Sequence, residues 1–309
     1  MNELPIVVAP AAEAGAPVDD DAALPTPRGR RALTRRAGRY VRDNPLIVVG
    51  IAIVVLEILA ALLAPVIAPF GPLQQNIMHR LEPPEAGHLF GTDDLGRDVF
   101  SRVLYGARVS LPLGAILVLI GGTFGTLVGA VAGYAGGWLD ETLMRLTDLI
   151  FAFPTIILAM AVAAALGPSL RHSILAIVIV WWPSYARLAR AMVLSVGKEE
   201  YVTAARAAGL GTVRIMLSHI LRNAMGPLVV LATLDVGNAI LTFSGLSFLG
   251  LGATPPTAEW GSMVSTGAQE MDQWWLGLFP GLAIWSVVLA FNLLGDGLRD
   301  ALDPQGHQM

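Results

Sequence analysis

The sequence predicts an all-α polytopic membrane protein with about six transmembrane helices. Of its 309 residues, 54% are hydrophobic and only 14% are charged, against about 25% charged in a typical soluble domain. The apolar residues fall in blocks long enough to cross a bilayer, which takes about 20 residues per helix. The arginines gather in alternate connections between those blocks, as the positive-inside rule requires of a multi-pass chain. No cysteine is present, so disulfides, thiolate metal sites and cysteine nucleophiles are excluded.

Residues 1–27 are rich in Ala, Pro and Asp and lack an apolar core followed by a cleavage site. They read as a disordered tail without a signal peptide. Residues 28–45 form a basic arm carrying Arg28, Arg30, Arg31, Arg35, Arg36, Arg39 and Arg42. The transmembrane domain is expected over 46–300, followed by a tail at 301–309. Its spans read as Leu46 to Pro69, Val109 to Tyr134, Leu143 to Leu166, Ser173 to Val196, Pro227 to Leu246 and Leu276 to Leu294. The second is Gly-rich, and small residues at Gly121, Gly125 and Gly129 permit close helix contact. With the arm inside, both termini are cytoplasmic and 15 of the 20 Lys and Arg lie inside. Arg80, Arg97, Arg102, Arg108 and Arg171 remain outside. The reversed topology puts the excess outside and is rejected.

The cytoplasmic loop 197–226 is unusual in being helical, polar and Ala-rich. Over Glu199 to Ala208, Tyr201, Ala204, Ala205 and Ala208 share one face, with Glu200, Thr203 and Arg206 spread around the rest. Gly209 is a helix stop, and Leu210-Gly211 turns the chain into a second helix leading to span five. Small side chains let another protein approach closely. The other reading is an amphipathic helix lying on lipid, for which the Ala face offers little area.

Ionisable residues inside a bilayer are functional suspects. Asp235, Asn238 and Thr242 form a polar stripe on span five. Either the stripe lines the path and tolerates or guides a polar substrate, a cation among the options, or Asp235 is packing glue against a sister subunit. Glu57, in span one, reads as a protonated or partner-bonded group at the bundle edge. Arg145 and Asp148 lie one turn apart and read as a structural pair.

A P-loop needs Gly-x-x-x-x-Gly-Lys-Ser/Thr. The sole lysine, Lys198, is followed by Glu199, and Met192 stands where the first Gly belongs. The chain therefore reads as a non-enzyme that hydrolyses no ATP by that route. His79, His88, His172, His219 and His307 are scattered, so no metal site is expected, and a membrane-embedded enzyme lacks its cluster of catalytic residues. A secondary transporter working through Asp235 and Glu57 is the rival reading from another class.

Several motifs run in order along residues 35 to 304. The segment Tyr201-Val202-Thr203-Ala204-Ala205-Arg206-Ala207-Ala208-Gly209, followed by His219-Ile220-Leu221 and Asn223, resembles the EAA loop of ABC importer permeases. Gly91-Thr92-Asp93-Asp94-Leu95-Gly96-Arg97-Asp98, Phe151-Ala152-Phe153-Pro154, Pro255-Pro256-Thr257, Trp260-Gly261 and Asn292-Leu293-Leu294-Gly295-Asp296-Gly297 narrow it further. The chain resembles the C-type permease of the dipeptide/oligopeptide/nickel importer family. Thr203 stands where the family signature has Glu, and Arg222 follows His-Ile-Leu where Pro is usual. The first removes a carboxylate that would pair with an ATPase and keeps the small-residue face.

The resemblance implies a type I importer permease fold with a cytoplasmic coupling helix, set in the bacterial cytoplasmic membrane. It implies a sister permease, two cytoplasmic ATP-binding subunits docking at Glu200, Tyr201, Thr203, Ala204, Ala205, Ala208, Gly209 and Leu210, and an extracytoplasmic binding protein. ATP and Mg would sit on the partners, and this chain itself would bind no cofactor and no nucleic acid. Short peptides are the expected substrate, with nickel or another small solute such as glutathione as the alternative. For docking of the binding protein, the outer loops offer Asp93, Asp94, Arg97, Asp98, Pro255, Pro256 and Trp260. The Asp93 to Asp98 motif reads equally as an Asp-Arg network fixing its own loop.

Overall fold

The computed structural model describes residues 44–302; the tail, the arginine arm up to residue 43 and residues 303–309 lie outside the described residues. Asn44 precedes helix α1 (Pro45–Ile67), with Pro45 in the first turn where its missing N–H costs nothing. An irregular segment with one 3₁₀ turn, Ile77–His79, leads to α2 (Val99–Ala135). Then come α3 (Gly137–Phe151), α4 (Thr155–Leu166) and α5 (Leu170–Val196). The short α6 (Glu200–Ala207) and α7 (Thr212–Ile215) follow, and a π-helical turn, Met216–Ile220, runs into α8 (Leu221–Phe248). The described chain closes with α9 (Trp260–Gln269) and α10 (Trp274–Leu302).

Among the described residues, five segments are long and apolar enough to cross a membrane: α1, α2, α5, α7–α8 taken together (Thr212–Phe248), and α10. The expected third span is not one rod. Its two halves, α3 and α4, meet at 88°. Phe153-Pro154 explains the elbow, because the residue before a proline is pushed out of the helical region. The second span starts ten residues before the expected Val109, since Asp98 caps α2 by accepting from the Ser101 N–H at 2.7 Å. Arg102 and Arg108 in those first turns hide the start from a hydropathy reading.

The core is built where small residues let helices touch. Gly125 and Gly129 of α2 lie against the Trp182 and Ala186 carbonyls of α5, and a Cβ at either would overlap them. Leu117, Ile177, Tyr185, Ala186 and Phe243 fill this central layer between α2, α5 and α8. A second cluster, around Val99, Trp260, Trp275 and Ile284, sits at the end of the bundle where α2 begins, hereafter the cap end. A third, around Ala130, Val193, Val202, Ile215 and Ile220, sits at the opposite end, under α6. Helix α1 is peripheral: only Ile47, Gly50, Ala61 and Ala64 are buried, and most of its large apolar side chains are exposed. On that edge Ser286 of α10 donates to the Glu57 carboxylate at 2.7 Å, so Glu57 is partner-bonded as its position suggested.

Candidate functional site

Three groups of residues were expected to act, and the fold puts them at three levels of the bundle. At one end, α6 is plugged into the bundle by Val202 and Ala205, which are buried among Ala130, Val193, Ile215 and Ile220. Ala205 therefore faces its own chain, and the expected contact face loses it; the helix turns Val202 and Ala205 inward together because they are three residues apart. Glu200, Tyr201, Thr203, Ala204, Ala208 and Gly209 are exposed, and Leu210 is half-buried. Gly209, at φ 75°, ends the helix, and its N–H donates to the Arg206 carbonyl. The Asn223 amide donates to the Tyr201 hydroxyl at 2.5 Å and to the His219 carbonyl at 3.0 Å. This links α6 to the first turn of α8. Val213 and Leu217, 70% and 58% exposed, extend the same end of the bundle. The sequence reading passed over them, although apolar residues in a polar stretch were the available signal.

At mid-bundle, the expected stripe is real. Asp235, Asn238 and Thr242 line one cavity of about 340 Å³. The elbow and α5 complete it with Phe151, Thr155, Trp181 and Ser184, residues that no local pattern linked to α8. Asn238 and Tyr185 neighbour the Asp235 carboxylate. A larger, mostly apolar cavity of about 550 Å³ lies beside it, walled by Thr126, Tyr185, Met225, Leu228 and Val236 among others. Beside the elbow, Arg187 pairs with Asp148 at 2.5 Å and lies over the Phe151 ring. Arg145 pairs instead with Glu141, which corrects the expected Arg145–Asp148 pair. Asp148 is held by α5, 39 residues away in sequence.

At the cap end, most of the residues expected to meet a docking protein are inside. Asp93, Arg97 and Asp98 are 5%, 7% and 2% exposed, and Trp260 is wholly buried. The Arg97 Nε donates to Asp93 at 2.7 Å, and Arg102 approaches the same carboxylate at 3.4 Å. His88 Nδ1 lies 2.9 Å from Asp98, whose other oxygen takes both Ser101 donors. Arg102 also donates to the Pro72 carbonyl, and Arg97 reaches Asp94 at 3.3 Å. Paired buried charges of this kind fix a loop. The Asp-Arg reading is the one this geometry carries, and only Asp94 and the exposed cis-linked Pro255–Pro256 turn remain at the rim. The Trp260 indole donates to the Val103 carbonyl at 3.0 Å.

Beneath that turn lies Glu259, fully buried and not anticipated from the sequence. It caps α9 by accepting from the Gly261 and Ser262 N–H groups at 2.8 and 2.9 Å. Burial pushes its carboxyl above the usual range, against the pull of those N–H groups and of the Ser247 and Ser110 side chains. Among the described residues, no three His, Asp or Glu come together to hold a metal.

Comparison with known proteins adds sequence families to this geometry. Residues 125–306 match the model of the binding-protein-dependent transport system inner membrane component. Residues 32–84 match the N-terminal transmembrane domain of oligopeptide transport permease C. A dipeptide transport system permease of Alkalihalophilus pseudofirmus is 47% identical, covering 88% of this chain and 90% of that one. A probable D,D-dipeptide transport system permease of Escherichia coli is 46% identical, over 86% and 89%. A di/tripeptide transport system permease of Pseudomonas aeruginosa is 45% identical, over 83% and 87%. The inward-facing MetNI methionine ABC transporter has the same fold over 63% of this chain and 95% of the compared one, with a TM-score of 0.50 and 18% identity.

Proposed function

Since this chain belongs to the family of binding-protein-dependent transport system inner membrane components, we propose that it is the permease subunit of an ATP-driven importer of short peptides. It works in a bacterial cytoplasmic membrane with both termini inside, beside a sister permease that completes the path. The observation that carries the mechanism is α6: a short helix plugged in by Val202 and tied to α8 through Tyr201 and Asn223, with Ala204 and Ala208 left exposed. A partner ATPase that grips this face moves α8, and α8 carries Asp235, Asn238 and Thr242. ATP and Mg belong to two such partners, and this chain contributes a bistable bundle whose population they shift. The names of the relatives support peptides as cargo. Cargo arrives from a binding protein at the cap end, where the half-buried Asp94 and the exposed Pro255–Pro256 turn are the contacts.

The test is mild-detergent purification of the tagged chain from its native membrane, followed by identification of what accompanies it. A second multi-span permease and P-loop ATPases are expected. A chain that purifies alone, and on reconstitution takes up dipeptide on an ion gradient without ATP, is a secondary transporter, and the proposal fails.

A further inference from the structure

We propose that the Asp235 cavity is a resting site for the ammonium end of the travelling peptide. This rests on the peptide reading above and deepens it. Among the described residues, Asp235 is the only charged one lining the cavity. None of the described ion pairs includes it, whereas Asp93, Asp98, Asp140 and Asp148 each have an Arg or His beside them. Its neighbours Tyr185 and Asn238 are neutral. A carboxylate at bilayer depth without a cation is costly, and the missing counter-charge is one that a guest can supply.

The walls say which guest. A primary ammonium has three donors and no acceptor. Around Asp235 the cavity offers the Asn238 amide oxygen and the hydroxyls of Ser184, Thr242 and Thr155 as further acceptors. Trp181 and Phe151 add aromatic surface, which attracts an ammonium through the ring quadrupole. A carboxylate guest meets only repulsion from Asp235, so the other end of a peptide is excluded. Size agrees: about 340 Å³ lies at the small end of ligand pockets, which run from about 300 to 1,000 Å³. It has room for the amino end of a peptide.

The experiment uses the whole complex, with sister permease, ATPases and binding protein, in proteoliposomes, and alanyl-alanine as probe. The readout is peptide taken up per ATP hydrolysed. Asp235→Asn is expected to lower this ratio at least tenfold. Adding Ser184→Asp to it, which moves the charge to the facing wall, is expected to restore the ratio to within about threefold of wild type. Ser184→Lys with Asp235 intact places a resident ammonium in the site and is expected to lower the ratio at least tenfold as well. An Asp235→Asn complex or a Ser184→Lys complex with the wild-type ratio overturns the inference. So does loss of the sister permease from both Asp235→Asn complexes, which makes Asp235 a packing residue. A wild-type complex that hydrolyses ATP and moves no alanyl-alanine overturns the peptide reading itself, and this inference with it.

Discussion

The two ends of the bundle use polar residues in opposite ways. At the cap end Asp93, Arg97, Asp98, Arg102 and Glu259 are buried and bonded to one another, to Ser101 or to backbone. At the α6 end the polar residues Glu200, Thr203 and Arg206 are exposed, and the buried contacts are apolar, through Val202, Ala205, Ile215 and Ile220. Buried paired charges tolerate few arrangements, because each displaced group is left uncompensated. An apolar plug tolerates small shifts at low cost, since hydrophobic contact is non-directional. The cap end is thus held in one arrangement, whereas the α6 end tolerates small shifts.

Substitutions can break that contrast in a graded series. The largest effect is expected from Asp93→Ala, which leaves Arg97 and Arg102 buried without their shared carboxylate. It should cost about 3–5 kcal/mol, seen as collapse of the yield and thermal stability of the purified complex. Gly96→Ala should follow. Its φ of 69° disfavours a side chain, and a Cβ there would overlap the Asn76 carbonyl, a loss of about 2 kcal/mol in the same thermal assay.

Glu259→Gln is expected to be milder, about 1 kcal/mol at pH 7, because one of the N–H groups of α9 loses its acceptor. Here pH sharpens the comparison. Burial raises the Glu259 carboxyl in the folded chain, so folding favours its protonated form. Its contribution is full below the unfolded carboxylate range and is lost as pH rises through the raised folded value. Thermal unfolding at pH 5 and pH 7 should show wild type gaining stability over Glu259→Gln at the lower pH. A gap that narrows on acidification would sink the buried-cap account.

The smallest effect on stability is expected at the α6 end. Ala204→Asp changes an exposed site and should shift stability by less than about 0.5 kcal/mol, while the ATPases fail to co-purify. If it unfolds the bundle instead, the α6 end is as rigid as the cap and the contrast is lost.

How much of this was legible in the sequence follows the same division. Spans and motifs were readable because apolar length and local order carry them. The elbow was half-legible: Phe153-Pro154 was in view, yet α3 and α4 together have the composition of a single span. Ala205 was assigned outward because an eight-residue helix has too few positions to fix its buried face. The charges of the Asp93 to Asp98 motif pass for surface residues because Asp and Arg usually are; only tertiary packing under Trp275 and Met263 puts them inside. Asp148 chose Arg187 over Arg145 for the same reason. Within the cavity, Asp235, Asn238 and Thr242 were found from their spacing, whereas Trp181, Ser184 and Thr155 come from other helices and left no linear trace.

Helix α2 spans 37 residues, about 55 Å at roughly 1.5 Å per residue, well beyond the ~30 Å of a hydrocarbon core. Its first turns hold Ser101 and Arg102 in the cap network, and its last hold Ala130 against the α6 plug. One continuous strut therefore reaches both termini of the machine. The single proline within it, Pro112, interrupts the hydrogen-bond ladder about a third of the way along. If the plug is displaced, α2 is the element that connects it to the cap, and Pro112 is the position where its hydrogen-bond ladder is open.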